Sequence, residues 1–289
     1  MIAYLEKSDI GATLATWLYC CIWQHYSVEK EGYQGYIHWP NRPNRSLQPH
    51  QDHVAFSRCP NMYEWWFEQP TVKQPYPPAC DAVFEWENMA LTGKHVLMGL
   101  PLPELKAYFQ KHLIFNAEVE RRTAELVAKY GIDFNNTMAV TWRGCDSTDD
   151  GRPRLDIGLY FPFIDEILEK DPNTRIFATA EETTVVDKVK ARYPNVFTID
   201  EFFSAPFGYR QHSEYVNPAS GYERGMQTCM MMNVISKCKY LVKNRSSMSG
   251  VAGWLSRGHI VNIAHPENLG HGFDITKVEI NGQLFPLYR

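Results

Sequence analysis

The stretch Thr137-Met138-Ala139-Val140-Thr141-Trp142-Arg143-Gly144-Cys145-Asp146 decides the fold. Its first six residues are an apolar run with β-branched and aromatic members, the pattern of a buried strand. The run stops abruptly at Arg143 and Gly144, and the acidic loop Asp146-Ser147-Thr148-Asp149-Asp150-Gly151 follows. Downstream, helical patterns at 158–169, 182–193, 221–236 and 249–255 alternate with strand patterns at 175–179, 195–198, 240–242 and 260–263. Strands that alternate with helices of this length predict βαβ units, hence an α/β fold with a parallel sheet in the C-terminal half.

Working back toward the N-terminus, Leu105, Phe109, Leu113, Val119, Leu126 and Val127 recur near helical spacing. They predict one helix over 102–130, stopped by Gly131, which makes up most of a linking region at 105–136. Residues 1–104 are rich in Trp, Tyr, Pro and His and read as a smaller half: a helix over 11–25 capped by Ser8-Asp9, then a short strand at 36–39. Residues 61–67 predict a short buried helix or a groove wall. Residues 137–289 form the larger α/β half.

The 289 residues carry 29 Lys+Arg against 33 Asp+Glu, a formal net charge of −4. That balance gives no broad cationic field, so a general nucleic-acid binder is excluded. Seven cysteines, an odd number with no C-x-x-C pair, fit a reducing compartment. The apolar stretch at 10–23 is too short to span a bilayer and follows acidic residues, so it reads as a buried helix rather than a signal peptide. A cytoplasmic protein without a transmembrane segment is expected, which leaves peripheral membrane association open. The phosphate loop G-x-x-x-x-G-K-[ST], the dinucleotide fingerprint G-x-G-x-x-G and the H-E-x-x-H motif do not occur.

In an open α/β sheet, ligands bind beyond the carboxyl ends of the strands. Three loops there are chemically suggestive. Arg143 at a strand end, with carboxylates close behind, suits a diphosphate held by the guanidinium fork and an acid that handles a proton; a solvated acidic loop is the alternative. Thr179-Ala180-Glu181-Glu182 opens a helix, where glutamates commonly serve the dipole. Asn244-Arg245-Ser246-Ser247-Met248-Ser249 offers hydroxyls and backbone N–H groups as an anion cradle or as ordinary capping.

Taken in order, these segments resemble the fucosyltransferase superfamily of the α-1,6-fucosyltransferases and nodulation-factor fucosyltransferases. Val140-Thr141-Trp142-Arg143 and Asp146 are similar to its V-H-V-R strand with a later Asp. Ile176 to Glu181, then Lys188-Val189-Lys190-Ala191-Arg192-Tyr193-Pro194-Asn195, is similar to L-A-T-D-D and K-x-K-x-x-Y-x-N. Ser236 to Val242 with Arg245-Ser246-Ser247 is similar to S-x-x-D-F-L-V and F-S-S. The similarity spans 137–252. Three departures stand out: Thr141 in place of His, Ala180 in place of the first acid, and Met231 where an Asp is expected.

The resemblance implies a GT-B-like fold, two Rossmann-like α/β halves facing a cleft, and inverting transfer of fucose from GDP-fucose to a hydroxyl of a glycan acceptor. By position, Arg143 is implied to clamp the β-phosphate, Asp146 to orient it or the sugar, Tyr160 to line the donor pocket, Glu181 to face the base or ribose, and Ser246 and Ser247 to bind phosphate. Asp149 or Asp150 is the implied base, since Asp146 is expected to be held in an ion pair with Arg143. No metal and no cofactor beyond the nucleotide sugar are expected: there is no D-x-D motif, and Arg143 supplies positive charge for the leaving diphosphate. Two alternatives are a glycosyltransferase with another donor, such as UDP-xylose or another GDP-sugar, and a non-catalytic carbohydrate-binding protein. Trp39, Trp65 and Trp66 are candidate stacking platforms for sugar rings in any of them.

Overall fold

The computed structural model describes residues 1–6, 14–39, 61–72, 81–85, 102–144, 155–202, 204, 221–244, 246–268, 272–281 and 283–286. The chain divides into two compact units, one of Met1–Arg122 with Ala219–Met230, the other of Thr123–Pro218 with Met231–Arg289.

In the first unit, strand β1 (Ile2–Glu6) leads to helix α1 (Leu14–Lys30) and strand β2 (Gln34–His38). Strands β3 (Phe67–Glu68) and β4 (Ala82–Glu85) follow, then helix α2 (Leu102–His112) and strand β5 (Ile114–Phe115). The sheet order is β2-β1-β4, parallel throughout, while β3 and β5 form a separate antiparallel pair. Helix α1 runs five residues beyond the expected end because Val28 is still buried; the chain then turns at Gly32, whose φ of 83° suits glycine. Residues 62–65 form a 3-10 turn rather than an α-helix, opened by Asn61, whose side chain accepts from the Tyr63 N–H.

The single helix expected over 102–130 is two. Helix α3 (Ala117–Tyr130) begins after a break at 113–116, where Ile114 and Phe115 pair with β3. Asn116 restarts the helix by accepting the Val119 N–H through Oδ1 at 3.1 Å, and Glu118 and Glu120 lie in its first turn, where the dipole favours acids. Gly131, at φ 57°, ends it as expected.

The second unit contains β6 (Thr137–Trp142), α4 (Phe161–Lys170), β7 (Arg175–Ala180), α5 (Thr183–Arg192) and β8 (Val196–Phe197). Helix α6 (Gly221–Lys237), whose residues up to Met230 belong to the first unit, leads into β9 (Tyr240–Lys243), α7 (Ser247–Leu255) and β10 (His259–Asn268). A meander that the strand pattern at 260–263 did not reveal completes the unit: β11 (Gly272–Ile280) and β12 (Gln283–Pro286). The sheet order is β12-β11-β10-β9-β6-β7-β8, parallel from β10 to β8 and antiparallel at β11 and β12. Every residue of β6 is buried. Met138, Val140 and Trp142 join Ile164, Ile167, Val185 and Val189 of the flanking helices in one core, where full burial of such a side chain contributes about 1.5–3 kcal/mol. Among the described residues no helix is long and apolar enough to cross a membrane, and Cys21, Cys229 and Cys238 are buried free thiols.

Candidate functional site

The order of the parallel strands fixes where a ligand belongs. From β6 the chain moves outward to β7 and β8 on one side, then returns to place β9 and β10 on the other. The direction therefore reverses between β6 and β9, and at such a switch point the loops beyond the carboxyl ends of two neighbouring strands part to leave a crevice.

Register brings three loops to one level there. Trp142 pairs with Ala180, and Thr141 with both Thr179 and Lys243, so Arg143, Glu181 and Asn244 each stand just past a strand end. Arg143 and Asn244 face each other across the β6/β9 gap and are joined twice. The Arg143 N–H donates to Asn244 Oδ1 at 3.0 Å, and Asn244 Nδ2 donates to the Arg143 carbonyl at 2.6 Å. Glu181 approaches from β7. Its Oε1 lies 3.2 Å from Arg143 Nε and its Oε2 accepts the Gly144 N–H at 3.1 Å. One carboxylate thus holds both the guanidinium and the backbone beyond it. Arg143 is 20% and Glu181 10% exposed at the side chain, so the pair is shielded yet reachable. Gly144 is required for packing, because a Cβ there would run into the Trp142 ring, whose indole N–H is fixed by the Leu155 carbonyl at 3.0 Å.

Helix α7 starts just past Asn244. Ser246 is its N-cap: Oγ accepts the Ser249 N–H at 3.0 Å and donates to Ser249 Oγ at 2.9 Å. The Ser249 hydroxyl in turn reaches the Asn244 carbonyl at 2.9 Å, which ties the helix start to the residue that clamps Arg143. The first turn of a helix presents unpaired N–H groups and the positive end of its dipole. Behind the site, Tyr160 has no exposed surface; its hydroxyl donates to the Thr141 carbonyl at 3.4 Å, and burial holds its pKa well above the usual value.

The site residues expected from the sequence are distributed as follows. The structure brings Arg143, Glu181 and Ser246 to neighbouring strand ends. The side chain of Glu181 turns to Arg143 and Gly144, the role expected of Asp146. Tyr160 supports β6 from within the core, and Ser247 is the first residue of α7. Asp146, Asp149 and Asp150 lie outside the described residues. Asn244, to which the sequence reading gave no role, is the connecting residue; its signal was an Asn at a strand end two residues before a serine cap. Met231 is buried, with Sδ 3.6 Å from Thr179 Oγ1. A cavity of about 320 Å³ borders Thr179, Asp187, Lys190 and Ser204. It follows β7 and α5 rather than the β6/β9 switch point, where open α/β sheets bind their ligands.

The tryptophans expected to stack on sugars are core residues. Trp39 and Trp66 have no exposed surface and Trp65 is 5% exposed. The polar edges of Trp39 and Trp66 are satisfied inside, on Cys21 Sγ at 2.8 Å and the Tyr222 carbonyl at 3.3 Å. Glu64, beside Trp65, accepts from Tyr36, Asn61 and Gln69 and belongs to a structural network.

An open, mainly parallel α/β sheet with an arginine, a carboxylate and a helix N-terminus gathered at its switch point places the chain among the open α/β folds. Comparison with solved structures makes the class more specific: the chain has a fucosyltransferase-like fold. The NodZ α-1,6-fucosyltransferase soaked with GDP-fucose matches with a TM-score of 0.51 at 13% identity, covering 98% of each chain. NodZ from Bradyrhizobium in its selenomethionine form gives 0.50 at 13% over 98% of each chain. A FUT1 variant of Arabidopsis thaliana in complex with GDP gives 0.53 at 8% over 92% of this chain and 71% of that one. No protein-family model matches the chain, and no curated protein matches it in sequence.

Proposed function

We propose that the chain is an inverting glycosyltransferase that moves fucose from GDP-fucose to a hydroxyl of a glycan acceptor. The observation that carries this reading is the clamp at the switch point: Arg143, oriented by Glu181 and Asn244, beside the N-terminus of α7. Departure of a nucleoside diphosphate places negative charge on the β-phosphate as the glycosidic bond breaks. A guanidinium held in place before the reaction stabilises that charge without reorganising. The first turn of α7 adds N–H donors from 247 and 248, and Ser246, whose hydroxyl already caps the helix, fixes their direction. The fucosyltransferases with GDP and GDP-fucose bound support the donor class.

In this reading Asp149 or Asp150 takes the proton of the acceptor hydroxyl, Asp146 orients the diphosphate or sugar, and Tyr160 acts indirectly by supporting the strand that carries Arg143. The diphosphate needs no divalent metal, because the arginine and the helix dipole supply positive charge. A second reading, transfer from another nucleotide sugar, is favoured by Met231: its thioether, packed on Thr179, stands where the resemblance places an Asp. GDP and UDP tested side by side by thermal shift, followed by product release from GDP-fucose and UDP-xylose, separate the two. Binding of neither nucleotide would leave the non-catalytic carbohydrate binder.

A further inference from the structure

The first unit contains a buried polar cluster that transfer chemistry does not use. His25 and Glu29 stand one turn apart on α1, and His112 ends α2. One ligand atom of each lies within 4.8 Å of the other two. His25 has no exposed surface and His112 is 1% exposed.

Proton counting shows what the cluster lacks. Thr71 Oγ1 donates to the Gly35 carbonyl at 3.0 Å, and a carbonyl can only accept, so the contact between His25 Nε2 and Thr71 Oγ1 at 3.2 Å requires the imidazole to donate. The lone pair of neutral His25 is then on Nδ1, which faces the Tyr108 hydroxyl at 2.7 Å. That hydroxyl has one proton and also lies 2.9 Å from Glu29 Oε2. Two acceptors therefore compete for a single donor. His112 adds a third lone pair: neither of its ring nitrogens has a hydrogen-bond partner among the described residues, and Nε2 points toward Glu29 Oε2 at 3.7 Å.

We propose that His25, Glu29 and His112 bind a divalent transition-metal ion, Zn²⁺ by the chemistry of the donor set, which ties α1 to α2. Two imidazoles and a carboxylate are a standard zinc set, and the borderline-soft nitrogen donors select against Mg²⁺ and Ca²⁺. The site has an outer shell of the usual kind. Thr71 receives the distal N–H of His25, and Tyr108 hydrogen-bonds Glu29. Zinc–ligand bonds of about 2.0–2.2 Å put ligands roughly 3.4 Å apart, so from separations of up to 4.8 Å the ligand atoms close by about 1.4 Å at most, which side-chain rotation supplies. The site belongs to the first unit and does not depend on the proposed transfer reaction.

The test uses the full chain, stripped with EDTA and titrated with Co²⁺ alone. The expected result is one equivalent bound, with the visible absorption of a four-coordinate cobalt site, displaced by Zn²⁺ and accompanied by a rise in melting temperature. Glu29→Gln, at a partly exposed position, should weaken Zn²⁺ by ~100-fold or more, and Tyr108→Phe by ~10-fold, the lower end of outer-shell effects. His112→Gln should abolish the absorption; if that variant fails to fold, Glu29→Gln decides. Failure of the wild-type chain to bind Co²⁺, or unchanged binding in Glu29→Gln, overturns the proposal. Neither outcome bears on GDP binding, which reports on the other site.

Discussion

Replacing Glu181 by Gln removes one charge and almost no volume, and its consequence can be worked out from two contacts. In the wild-type chain both carboxylate oxygens face donors: Oε1 the Arg143 Nε–H, Oε2 the Gly144 N–H. Glutamine has one oxygen and one NH₂ group. Whichever way it is turned, the NH₂ meets an N–H, so one donor loses its acceptor. A buried donor left unpaired costs about 1–3 kcal/mol. The larger loss expected of a fully buried broken ion pair does not apply, because Arg143 retains one-fifth of its exposure. Taking ~2 kcal/mol and the size of the second unit, the melting temperature should fall by about 4–8 °C. The guanidinium also loses a contact that orients it, and a misplacement of about 1 Å at a reacting group costs ~10²-fold in rate. Thermal melts, GDP titration calorimetry and nucleotide release from GDP-fucose together measure these effects. Turnover should drop more than GDP affinity, and Glu181→Asp, which keeps two acceptors on a shorter stem, should fall between. A Gln variant that melts with the wild type and releases GDP at the wild-type rate would show that Arg143 is held by other contacts, and the reasoning from this carboxylate would fail.

Arg143→Lys keeps the charge but not the planar fork, so turnover should fall ~10²-fold or more; near-normal rates would make the arginine structural. Gly144→Ala should destabilise the second unit by about 1–3 kcal/mol, read as a lower denaturant midpoint, because the added methyl collides with the Trp142 ring; an unchanged midpoint would mean that the ring moves freely aside. One of Asp149→Asn and Asp150→Asn should lower turnover sharply at unchanged GDP affinity, the signature of a group used in the transition state, and normal rates in both would move the base elsewhere. GDP at ~100 Kd should add about 2.7 kcal/mol of stability with or without Mg²⁺. A strict need for Mg²⁺ or Mn²⁺ in turnover would reject Arg143 as the sole cationic partner of the diphosphate.

The alternation from 137 to 263 was legible because β6, β7 and β9 are buried strands and read as short apolar runs between amphipathic helices. The break in the 102–130 segment was not, since helical spacing persists across Leu113 to Asn116 while the chain there is extended. The readable signal was local: Asn116 before two glutamates. The final hairpin was also written in the sequence, as Asn281-Gly282 between β11 and β12; Asn281 adopts the φ of 48° that such a two-residue turn demands. At the site, strand ends and their loops could be read, but pairing could not. Arg143 and Glu181 are 38 positions apart in sequence and meet only because β6 and β7 are adjacent and in register. His25 and Glu29 show their one-turn spacing plainly, yet nothing in the sequence assigns His112 to them.

The seven-stranded sheet limits its own growth. Among the described residues its outermost strands are β8, two residues long, and β12, four residues long and ending in Pro286, which lacks an N–H to donate. Short edges and an edge proline are poor templates for another chain's strand. Self-association through edge-to-edge pairing at this sheet is therefore disfavoured, even though its central strands are apolar and parallel. Truncation before Gln283 would strip away that short cover and leave the nine-residue β11 as the edge, turning a self-terminating sheet into one open to aggregation.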